Sequence, residues 1–238
     1  MSKKIIYLTC IMLSFSLISS SVLSSSIANA SSMETTNLNS DEKYEIEYLE
    51  NTDVYQKIKF TNKETGEIEY LEVDLTNENP EYLATYNDKQ TKEQTEVSIT
   101  KEEDSLVIEN LTTNEKKTEE IFNLSNENTV LPRALPGGNG DYKLQNTWKG
   151  SKSLTDNGTA TVSLAAGIIA SIYGGPITGV ITTIASYLVT KGAPTFYYIH
   201  ELYYYKGAPA KPASFVRYYE KSNYTGYIDA VYNNFIWH

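Results

Sequence analysis

The sequence predicts an α+β fold: an acidic antiparallel β-meander, then an apolar helical hairpin, then a tyrosine-rich β segment. Three observations carry this. In the first half of the chain, after an apolar leader, apolar residues alternate with polar ones. Residues 157–190 form a run of thirty-four without a charge. Thirteen of the twenty tyrosines lie between Tyr142 and Tyr232.

The leader, residues 1–30, has the build of a secretory signal peptide. Lys3 and Lys4 supply charge, an apolar serine-diluted stretch follows, and Ala28-Asn29-Ala30 forms an A-x-A cleavage site ending at Ala30. Cys10 is the only cysteine and lies inside this leader. The exported protein is therefore expected to have no disulfide and no thiol chemistry. Together with abundant Asn, Lys and Tyr, this suggests a Gram-positive source and an extracellular location.

Residues 31–133 hold 25 acidic and 10 basic side chains. Tyr44, Ile46 and Tyr48 alternate with charged residues, and so do Ile58 and Phe60, Leu71 and Val73. A period of two marks strands with one buried face. Strands are expected at 54–62 and 67–76, joined through Lys63-Glu64-Thr65-Gly66, and again at 82–86, 96–100, 105–109 and 119–124. Asn and Asn-Pro pairs punctuate them. The expectation is a meander with one greasy and one acidic face.

Two prolines and three glycines between Leu131 and Gly140 mark a boundary, with the linker proper at 134–140. Arg133, one of only two arginines, is the expected processing point for a trypsin-like protease. Beyond it, in 141–238, the charge balance turns mildly basic. An acidic front and a basic, apolar back within one chain imply a covering segment and the segment it covers.

Within the uncharged run, Gly174, Gly175 and Pro176 should break a helix, because Pro lacks a backbone donor and clashes with the preceding turn. Two helices follow, at 159–173 and 177–190. Each is shorter than the roughly 20 apolar residues of a membrane span. Ser163, Gly167, Ser171, Gly175 and Gly179 recur at every fourth position, a glycine-zipper ridge that lets backbones approach closely. Two readings stay open: a hairpin buried in a soluble core, or a membrane-active hairpin whose ridge supports self-association.

The tail is expected to form strands at 195–205, 214–220 and 226–232. Its tyrosines have one apolar and one polar end, which suits membrane interfaces as well as protein surfaces. His200-Glu201 begins an HExxH motif, but position 204 is Tyr, so the second metal ligand is missing. No catalytic triad order, phosphate loop or cysteine cluster is present in the sequence. The expectation is a protein that is not an enzyme and needs no cofactor or metal. The net charge of −10 argues against a nucleic-acid partner.

Export signal, long acidic segment, Pro/Gly boundary, then an apolar, glycine-zippered, aromatic C-terminus: this layout resembles Sec-exported large-precursor bacteriocins of the closticin type. The resemblance implies that 31–133 is a propeptide. It also implies that the C-terminal part is antimicrobial, permeabilising bacterial membrane lipids after a processing protease releases it. The rival expectation is an uncleaved secreted binding or surface protein with a buried helical hairpin.

Overall fold

The computed structural model describes residues 43–88, 91–121, 142–156, 158–205 and 208–233. The expected leader with Ala30, the expected processing point Arg133 and the expected linker 134–140 lie outside the described residues. Strands β1 (Tyr44–Asn51), β2 (Tyr55–Asn62), β3 (Ile68–Asp74), β4 (Glu81–Asn87), β5 (Gln94–Glu102), β6 (Ser105–Asn110) and β7 (Glu115–Glu120) form one sheet in sequence order. Each neighbouring pair is antiparallel. Burial alternates residue by residue along β2, β4 and most of β5. Ile58, Phe60, Leu71, Val73, Tyr82, Ala84, Val97 and Ile99 make up the inner face. Lys57, Glu72, Glu81 and Ser98 face outward and pair with one another across the strands.

The turns follow from strand-end amides. Asn62 Oδ1 accepts the Glu64 and Thr65 N–H groups, and Asn110 Oδ1 accepts those of Thr112 and Thr113. Gly66 closes the β2–β3 turn at φ 74°, a conformation a side chain disfavours. The strand expected at 119–124 lies instead at Glu115–Glu120. That segment has no apolar residue and is almost wholly exposed, so no alternation announces it. It pairs with β6 as the charged edge strand of the sheet.

The second sheet has the order β13-β12-β11-β8, with β8 (Tyr142–Ser153), β11 (Thr195–Tyr205), β12 (Ala208–Tyr219) and β13 (Tyr227–Asn233). Three of these match the expected tail strands. The twelve-residue β8 gives no sequence signal, because its only two buried positions, Gly150 and Lys152, carry no apolar side chain. It pairs along the whole of β11.

Between β8 and β11 in sequence lie a two-residue pair, β9 (Thr155–Asp156) and β10 (Thr159–Ala160), then α1 (Val162–Tyr173) and α2 (Gly179–Thr190). Both helices begin later than expected, for one reason. Thr161 and Thr178 are N-caps with extended backbones, and their hydroxyls accept the N–H groups of Leu164 and Ile181. The chain breaks at Gly174, which ends α1 in the left-handed conformation at φ 75° with its N–H on Ala170 O. α1 packs against β3, β4 and β5 on one side and touches β12, β13 and α2 on others. One hydrophobic core joins the meander, both helices and the second sheet.

Candidate functional site

The first helix of the uncharged hairpin, α1, is the element that the rest of the molecule encloses. All twelve residues of α1 are buried, Ser163 and Ser171 included. Ser171 Oγ donates to Ile168 O at 2.8 Å, and Ser163 Oγ meets Thr161 Oγ1 at 3.3 Å, so both hydroxyls are satisfied close to home. No described helix is long and apolar enough to cross a membrane.

Gly167, the ridge position at the middle of α1, faces the meander in the intact chain. A Cβ built on Gly167 would lie 2.7 Å from Ile99 Cδ1, 3.4 Å from Tyr82 Cβ and 3.5 Å from Leu71 Cδ1. These three side chains belong to the meander's inner face. Gly167 is therefore small because the sheet presses on it. Gly175 lies past the helix, beneath the Tyr173 ring. Gly179 opens α2 with free space around it. Of the five ridge positions, Ser163 and Gly167 meet the meander. Ser171 bonds within its own helix, and the last two fall in or after the break.

Polar contacts hold the same face. The Gln56 side chain, 4% exposed, takes both backbone groups of Ile177: Oε1 accepts its N–H at 2.7 Å and Nε2 donates to its carbonyl at 3.2 Å. The Tyr82 hydroxyl lies 2.8 Å from Gly175 O and 3.2 Å from Ala170 O. Burial pushes its pKa well up, so it stays a neutral donor. Glu69 Oε2 accepts the Ser163 N–H at 2.8 Å, a carboxylate placed at the positive end of α1. Asn110 donates to Asp156 Oδ2 at 2.7 Å. At the end of the meander, Lys152 of β8 donates to Glu120 O and lies 3.3 Å from Glu119. Tyr198 donates to Ile121 O, across a position where only Gly150 leaves room for its ring.

None of these meander residues stood out in the sequence as a contact to the hairpin. A signal exists in hindsight. Gln56 occupies an inward position of an alternating strand, and a polar residue in a greasy row needs a polar partner.

The half-motif in the tail is structural. Glu201 pairs with Arg217 and accepts the Tyr203 hydroxyl at 2.9 Å, all inside the second sheet. His200 Nε2 meets Ser214 Oγ at 2.6 Å, with the Trp148 ring 5.4 Å away. Burial, with Lys101 adding to it, lowers the His200 pKa to about 3 and keeps the ring neutral. No group of three or more metal-ligating side chains occurs among the described residues.

No protein-family model matches the chain, and no curated protein or solved structure is similar to it at a significant level. Its function is therefore read from the arrangement alone.

Proposed function

We propose that the chain is a secreted, bacteriocin-like antimicrobial precursor. Its C-terminal part, 134–238, permeabilises bacterial membranes once a protease has separated it from the acidic meander. The observation that carries this reading is the complete burial of α1, with the meander's inner face set against the side that holds Ser163, Gly167 and Ala170. In the intact chain the meander covers the ridge at Ser163 and Gly167. Without the meander these two positions are bare, and their small residues become available to a second copy in lipid. The outward acidic face keeps the precursor away from anionic bilayers. At 1.5 Å per residue, each twelve-residue helix is about 18 Å long. It falls short of a hydrocarbon core of roughly 30 Å. The hairpin as folded enters one leaflet, and a pore requires several copies.

A second reading has its own support. The core runs without interruption from Tyr44 to Val231, as in a protein that works uncut. The chain would then be a secreted binding or surface protein. The mass of the species in culture supernatant separates the two. A fragment beginning near Ala134 is expected from the precursor. An intact species beginning at Ser31, with no smaller C-terminal product, contradicts it.

A further inference from the structure

We infer that a cut between β7 and β8 does not release the C-terminal part: residues 43–121 stay bound to it as a separate chain in a non-covalent complex. This rests on the cleavage proposed above and adds a step to it. The contact between the two parts is a domain core rather than a docking surface. Leu71, Tyr82 and Ile99 close on Gly167, where a Cβ would lie 2.7 Å from Ile99 Cδ1 and in van der Waals contact with the other two. Such apolar, tightly fitted contacts are the kind that obligate partners share. The polar contacts point the same way. Gln56 satisfies both backbone groups of Ile177 in the connection between the helices, and Tyr82 caps the carbonyl side of the break. Losing the meander would leave these buried groups without their partners. Glu69 at the start of α1 and Lys152 at the end of the meander place further charged contacts at two more points of the contact. None of these bonds depends on the peptide between 121 and 142.

Activation then has two stages. Proteolysis removes the covalent link, and the meander leaves only when another apolar surface, the bilayer, competes for α1.

The test replaces residues 131–137 with the recognition sequence of a site-specific protease and cuts the folded, exported-length protein to completion. Size-exclusion chromatography and native mass spectrometry are run on cut and uncut samples at low micromolar concentration. The expected result is one peak at the uncut elution volume, whose native mass is that of both fragments together. The cut sample should also melt at a temperature that rises with protein concentration, as a two-chain complex must, whereas the uncut sample should not. Two separate peaks, or a concentration-independent melt of the cut sample, overturn the inference. The outcome is independent of the membrane reading. Separated fragments would leave that reading standing, and a C-terminal fragment that never permeabilises vesicles would sink it while the complex stood.

Discussion

α1 and α2 are both twelve residues long, are separated by five residues in sequence and draw on the same small and β-branched residues, yet they occupy different environments. Every residue of α1 is buried. In α2 only Ile181, Thr182, Ile184, Ala185, Ser186 and Leu188 are, and Gly179 and Thr190 are exposed. The difference is one of neighbours. α1 has the meander on one side and the second sheet on another, whereas α2 rests mainly on α1 and β13. A helix that is apolar all round needs protein or lipid all round, and a mildly amphipathic one can keep a wet side. The meander is what makes α1 tolerable in water.

The largest expected effect tests that contrast directly. Gly167→Leu places a side chain into Ile99, Tyr82 and Leu71 and should destabilise the protein by about 3 kcal/mol in urea unfolding. Gly179→Leu, with open space at its Cβ, should change stability by less than about 0.5 kcal/mol. Adding Ile99→Ala should recover part of the Gly167→Leu loss. Equal losses at the two glycines, or no rescue by Ile99→Ala, would break the comparison.

Next comes the connection between the helices. Gln56→Met keeps the volume but strands the Ile177 N–H and carbonyl, and should cost about 2 kcal/mol. A loss near zero would mean that the meander does not hold the hairpin there.

A pH titration asks whether the sheet on the other side of α1 is held as firmly. His200 is kept neutral in the fold, with a pKa near 3 against an ordinary value of 6.5. The unfolded chain therefore binds more protons below pH 6.5, so stability is full above that pH and falls as pH drops toward 3. The fall is about 1.4 kcal/mol per pH unit, or about 2 kcal/mol between pH 7 and 5. Carboxylates held low, such as Glu72, lose their contribution only at more acidic pH. His200→Gln should flatten the segment between pH 6.5 and 5, and an unchanged slope would contradict the buried neutral ring.

The smallest effect pairs two hydroxyls. Tyr82→Phe removes a buried donor to the helix break and should cost about 1 kcal/mol. Tyr187→Phe removes a partly exposed contact from α2 to Glu220, just past β12, and should cost less than about 0.5 kcal/mol by thermal melting.

The meander was legible because one of its faces is buried and the other wet. Ile58–Phe60 and Leu71–Val73 therefore show a period of two. β7 was misplaced because an exposed edge strand such as Glu115–Glu120 has no reason to alternate. β8 escaped for a related reason: from Tyr142 to Thr147 it has no fully buried residue, and its burial begins only near Gly150 and Lys152. The helix break was legible from Gly174-Gly175-Pro176, whereas the starts were not, since Thr161 and Thr178 read equally well as helix residues. The ridge is the instructive case. Spacing showed that something approaches Gly167 closely, but it did not say what. In the intact chain the partner is Ile99 of the meander rather than another helix.

The central claim is that the meander occupies the apolar face of α1, and that this face acts on membranes only when it is uncovered. Dye release from anionic vesicles tests it most directly, comparing the exported chain 31–238 with the separated fragment 134–238 at equal concentration. The account predicts strong release by the fragment and little by the exported chain. Equal release by both, or none by the fragment, would contradict it.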